Sequence, residues 1–223
     1  MGMICVEAHM QTVIELLRNR FLERLLYVGL QGSYLRGEAT ENSDIDVVVI
    51  LEDLSVEDLA AYREIIGKLD QPEKSCGFIC GREDLQNWNP LEVCSFRYGT
   101  KDYYGKLSDY LPEYSSTDVI NFIKLSVGNL YHEITHRYLH GDMQKNRRNL
   151  PFSYKNVFFI LQSVYYLKTG VFCLTKKELM QYLSNRDKDM MERAAQLING
   201  DAFDFEEEFS ILLNWCQEIL RSV

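Results

Sequence analysis

The sequence is poor in several features that would narrow its class at once. It holds only four prolines and two tryptophans in 223 residues, which excludes proline-rich spacers and collagen-like repetition. It has no excess of positive charge, because 24 Lys and Arg stand against 33 Asp and Glu for a formal net charge of -9. That balance argues against a protein that grips a polyanion, since phosphate-backbone affinity comes largely from Lys and Arg releasing counterions. Nucleic acid is therefore not an expected partner, although a small anionic ligand is compatible. Long apolar runs are missing too. The stretch VFFILQSVYYL is broken by Gln162 and Ser163 and is too short to cross a bilayer, and no signal-peptide pattern opens the chain. No membrane partner is expected. The six cysteines (Cys5, Cys76, Cys80, Cys94, Cys173, Cys216) are scattered, with no two pairs at zinc-finger spacing, so they read as reduced, mostly buried thiols of a cytoplasmic protein.

What the chain does contain is core. An apolar fraction of 46%, with 12% aromatics, is enough to fill one large domain or two small ones. Val6, Met10, Val13, Ile14 and Leu17 recur at helical spacing, and LLYVGL, 25 to 30, then reads as a buried strand. A second strand is expected over Ile45 to Leu51, followed by a helix over 54 to 69 with Ser55 as N-cap ahead of Asp58. KSCGFICG, 74 to 81, and EVCSFRYG, 92 to 99, are short strand candidates. From Ser116 onward Val119, Ile120, Ile123, Val127, Leu130, Ile134 and Tyr138 trace a long helical stripe, and further amphipathic segments follow. The expected organisation is an α+β domain over 1–112 and a helical bundle over 113–223, joined near the turn-rich SDYLPEYSS.

The chemistry concentrates in GSYLRGEATENSDIDVVVILED, 32 to 53. Side chains alternate faces along a strand, so Asp44 and Asp46 converge on one side while Ile45 and Val47 turn to the other. Two such carboxylates repel unless a cation sits between them, and hard oxygen donors suit a magnesium ion that also holds phosphates. Upstream, Gly32 and Gly37 permit close backbone approach, while Ser33 and Arg36 supply groups that bind terminal phosphates.

Gly32-Ser33, then Arg36-Gly37, then Asp44-Ile45-Asp46 heading an apolar strand, with ten residues between Ser33 and Asp44, resembles the signature of the DNA polymerase β-like nucleotidyltransferase superfamily. The helical half, around KNVFFILQSVYYLKTGVFCLTKKEL, 155 to 179, looks like the C-terminal domain of the aminoglycoside nucleotidyltransferases. The resemblance implies a mixed sheet with flanking helices, followed by the helical bundle. It also implies a magnesium-dependent transfer of a nucleoside monophosphate from a triphosphate, ATP being the expected one, to a small-molecule hydroxyl, with pyrophosphate leaving. In that reading Asp44 and Asp46 hold the metal and are catalytic. Gly32, Ser33 and Arg36 bind the nucleotide, and Lys155 and Lys176 reach its phosphates from the helical half. A protein acceptor, as in a minimal toxin–antitoxin nucleotidyltransferase, and a nucleotide-binding module with weakened catalysis are the alternatives. Monomer and homodimer both stay open.

One departure stands out. Members of the superfamily usually carry a third carboxylate on a later strand, and SCGFICG, 75 to 81, has none, although Glu73 and Glu83 flank it. Glu133, near the start of the helical half, is the expected substitute base. Beside it His132, His136 and His140 recur every fourth residue. His132 to His136 satisfies H-E-x-x-H, but a partly exposed stripe is expected there rather than a zinc site.

Overall fold

The computed structural model describes residues 4–223, which divide into one compact unit ending at Tyr114 and a second over Ser115–Val223. The first unit opens with α1 (Val6–Phe21) and β1 (Leu25–Gln31), then the short helix α2 (Gly32–Arg36) and β2 (Ile45–Leu51). After α3 (Val56–Ile66) come β3 (Ser75–Gly81), α4 (Arg82–Gln86), α5 (Val93–Tyr98) and β4 (Lys101–Tyr104). The strands form a mixed sheet in the order β3-β2-β1-β4. β1 runs antiparallel to both β2 and β4, whereas β2 and β3 are parallel.

Alternation along β2 divides the core. Ile45, Val47, Val49 and Leu51 pack with Val28 and Leu30 of β1 against Met10, Leu17 and Phe21 of α1 and Ala61 and Ile65 of α3. Val48 and Ile50 face the other way and join Tyr27, Cys80, Leu85 and Leu107. A strand buried on both faces reads as a continuous apolar run, and β2 is buried at every position except Asp46. One polar residue inside such a strand signals a site rather than packing.

EVCSFRYG does not form the expected strand. Asn89 accepts a hydrogen bond from the Leu91 N–H, Pro90 opens a turn of 3-10 helix, and α5 follows to Gly99. This chemistry starts helices, and it overrides the β-branched and aromatic content of the segment. The free edge of β1 is taken instead by β4.

The second unit is helical: α6 (Ser116–His140), α7 (Met143–Thr169), α8 (Lys176–Met180), α9 (Asn185–Ile198) and α10 (Phe205–Ser222). Ser115 and Asp118 close a capping box at the head of α6, whose buried positions Val119, Ile123, Val127, Leu130 and Ile134 lie one turn apart. α7 starts well before the apolar segment that announced it and runs through Pro151, which forfeits one backbone hydrogen bond. Tyr154 ties this unit together: its hydroxyl donates to Glu208 Oε2 at 2.8 Å, and Arg193 donates to Glu208 Oε1 at 2.6 Å. None of the helices among the described residues is long and apolar enough to cross a membrane.

Candidate active site

β1 delivers the chain to the site edge of the sheet. Gln31 is paired with Asp46 in the β1–β2 register, so Gly32, the next residue, begins α2 beside the Asp46 carboxylate. Gly32 has φ +74°, and a Cβ there would overlap that carboxylate. Only glycine satisfies both the backbone and the approach. α2 ends at Gly37, whose φ of 67° places it in the left-handed region, a common way to close a helix.

The loop back to β2 is held locally. Thr40 N–H donates to Ser43 Oγ at 2.9 Å, and Lys74 Nζ donates to the Glu41 carbonyl at 2.6 Å, joining the loop to the start of β3. Asp44 follows, exposed, and Asp46 comes two residues later, half-buried. Burial pushes the Asp46 carboxyl above the ordinary aspartate value, with the Asp44 charge adding to the effect, while a hydrogen bond from the Cys76 thiol and the nearby Arg36 guanidinium oppose it. Gly32, Arg36, Asp44 and Asp46 are thus brought together, with Ser33 on the first turn of α2. Arg36 Nε also pairs with Glu38 at 3.1 Å, which braces the loop.

Cys76 is the residue that sequence reasoning missed. The parallel β2–β3 register sets it directly opposite Asp46, on the strand where the sequence resemblance implies a third acid. Local desolvation and then the Asp46 charge push its thiol pKa up, so it stands as a neutral donor to the carboxylate. The only cue in the sequence was the lack of an acid in that strand; which of its residues faces Asp46 is a matter of register. Among the described residues no group of three or more His, Cys, Asp or Glu is arranged to hold a metal. Two carboxylates, one exposed and one half-buried, are a donor set of the kind that suits magnesium, which keeps several waters and takes one or two protein carboxylates.

Glu133, Lys155 and Lys176 belong to the second unit. Glu133 Oε1 accepts from Arg137 and, at 2.8 Å, from the Ser153 hydroxyl. Lys155 Nζ lies 4.7 Å from the centroid of the Phe152 ring, a cation–π contact. Lys176 is the first residue of α8.

The family model of the nucleotidyltransferase domain matches residues 11–92, the segment that contains β1, α2, β2 and β3. Among solved structures, the spectinomycin adenyltransferase AAD(9) from Enterococcus faecialis, crystallised with ATP and spectinomycin, aligns with a TM-score of 0.61 at 17% identity, covering 97% of this chain and 99% of its own. That likeness is one of fold. A toxin-antitoxin structure with AMP-PNP aligns over 58% of this chain and 92% of its own at 23% identity and a TM-score of 0.33. A nucleotidyltransferase-like protein from Exiguobacterium sibiricum 255-15 covers 95% and 74% at 11% identity and a TM-score of 0.41. Both of these are too loose to carry structural weight. No curated protein sequence matches the chain.

Proposed function

We propose that the nucleotidyltransferase domain formed by residues 11–92 moves a nucleoside monophosphate, in the first instance from ATP, to a hydroxyl of a small polycationic acceptor of aminoglycoside type. The observation that carries the reading is the corner at which Gly32 meets Asp46, with Asp44 two residues before it and Arg36 close by. The acceptor oxygen attacks the α-phosphorus, the bond from that phosphorus to the bridging oxygen breaks, and pyrophosphate leaves. Catalysis of this kind is positioning and charge neutralisation. Asp44 and Asp46 are the proposed magnesium ligands, and the ion, when bound, supplies compensation for the charge of the phosphates.

The chain's own groups do the rest. Ser33, Arg36 and the backbone at Gly32 hold the outer phosphates; Lys155 and Lys176 are proposed phosphate contacts from the helical unit. Glu133 is the proposed base that accepts the proton of the acceptor hydroxyl. The fold shared over nearly its full length with an adenyltransferase crystallised with ATP and spectinomycin supports this acceptor class, and so does a net charge of -9, which favours approach of a polycation.

The test incubates the purified chain with each α-labelled triphosphate and magnesium, against a panel of aminoglycosides, lincosamides and cell lysate. Label on an aminoglycoside, abolished by a chelator, is the expected result. Label on a protein band would favour the protein-acceptor alternative, and nucleotide binding without pyrophosphate release on any acceptor would overturn the reading.

A further inference from the structure

The three histidines of α6 have no part in that reaction, and their geometry has a use of its own. His132, His136 and His140 are all exposed and occupy successive turns of one face. Their ring centroids are 5.7 Å apart for His132 and His136 and 4.9 Å for His136 and His140. The polar neighbours on the helix are engaged elsewhere: Glu133 with Arg137 and Ser153, the Thr135 hydroxyl with the Tyr131 carbonyl, and the Tyr138 hydroxyl with Glu206. Gly128, one turn before His132, leaves open space, with nothing within 4 Å of where a Cβ would stand.

We propose that His136 and His140 form a two-imidazole site for a borderline divalent transition metal such as nickel, copper or zinc. A metal–nitrogen bond of about 2.0–2.1 Å puts the metal about 3.2 Å from each ring centroid, so two imidazoles bound at an angle of ~90–109° stand about 4.5–5.2 Å apart. The His136–His140 separation of 4.9 Å falls inside that window. The His132–His136 separation of 5.7 Å lies outside it, so that pair is the poorer match. Because His136 belongs to both pairs, one metal excludes the other and the capacity of this stripe is a single ion. Among the described residues no third His, Cys, Asp or Glu joins the group, so water completes the coordination. Such a metal exchanges readily and keeps positions open to a further ligand.

Donor chemistry separates this site from the carboxylate pair. Imidazole nitrogen selects copper, nickel and zinc, whereas magnesium demands oxygen and is not held by two imidazoles. The Irving–Williams order predicts that copper(II) binds more tightly than nickel or zinc. The site is independent of the proposed transferase reaction, and nickel occupancy should leave triphosphate binding unchanged.

Isothermal titration of the tag-free, full-length, reduced chain with nickel chloride in excess magnesium is the test, with circular dichroism confirming helix content in each variant. Wild type should bind one nickel through this site. His136→Ala, which breaks both pairs, should weaken binding by about tenfold or more, the scale of losing the second arm of a chelate. His140→Ala should fall between wild type and His136→Ala, since the chain falls back on the wider pair, and His132→Ala should stay within about twofold of wild type. The exposed positions tolerate these changes, and His136→Gln provides a second, helix-compatible loss of the ligand. An isotherm for His136→Ala and His136→Gln that overlays wild type, or nickel displaced by magnesium, would overturn the proposal. A loss in His132→Ala as large as in His136→Ala, with His140→Ala unaffected, would refute the assigned pair.

Discussion

Asp46 is the half-buried residue of an otherwise buried strand, and a carboxylate kept there without a cation costs stability because burial and Asp44 both disfavour its charge. Asp46→Asn should therefore abolish nearly all transfer while leaving the melting temperature unchanged or slightly raised. Full turnover in that variant would remove Asp46 from the site. Cys76 makes a sharper case. It faces Asp46 across the parallel pair, so Cys76→Asp would set a third carboxylate beside Asp46. The variant should melt lower than wild type without metal, yet gain more from added magnesium, which thermal unfolding with and without the ion reads directly. Glu133→Gln separates base from brace. If Glu133 takes the acceptor's proton, turnover falls by roughly two to four orders of magnitude with triphosphate affinity near wild type. If it only holds Arg137 and Ser153 in place, stability falls and turnover does not.

At the scale of elements, the head of α3 shows how a cap and an ion pair combine. The Ser55 hydroxyl accepts from the Asp58 N–H, Asp58 Oδ2 accepts from the Ser55 N–H, and Arg24 donates to both Asp58 oxygens at 3.0 and 2.7 Å. Arg24 above all, aided by Ser55, holds the Asp58 carboxyl far below the usual aspartate range. Because the folded value is depressed, this stabilisation is fully present above the unfolded pKa of about 3.9 and is lost as pH falls through the folded one. Asp58→Asn should cost about 1–3 kcal/mol at neutral pH. Urea melts should show the difference from wild type shrinking below about pH 4. A gap that stays constant down to the acid limit would mean that Asp58 acts through packing instead. The cap was legible, since Ser-x-x-Asp before an apolar run is a local pattern. α5 was not, because Val93 and Phe96 suit strand and helix alike and the deciding Asn89–Pro90 turn lies outside the segment.

At the scale of the whole molecule, the net charge of -9 makes a prediction about approach rather than chemistry. If the proposed polycationic acceptor is the substrate, its KM should rise several-fold between about 0.05 and 0.3 M salt, as screening shortens the reach of the protein's field, while an uncharged acceptor should show no such trend. Initial rates over that range check it. A salt-independent KM for the polycation would place recognition in short-range contacts alone.

By itself the sequence determined whatever has a short period: the buried β1 and β2, the Asp44–Ile45–Asp46 alternation that separates carboxylates from core, the glycine that a positive φ requires, and the amphipathic helices from Ser116 onward. These follow from side-chain spacing within one element, which the chain carries locally. The tertiary structure alone decided that β3 runs parallel to β2 in the register that sets Cys76 against Asp46 and that β4 takes the free edge of β1. Register and partner choice depend on pairing between segments far apart in the chain, and a one-residue slip would turn every side chain of β3 to the opposite face. No local pattern in SCGFICG records which of its residues will meet the carboxylate, because that is settled only when the crossover through α3 packs the strand against its neighbour.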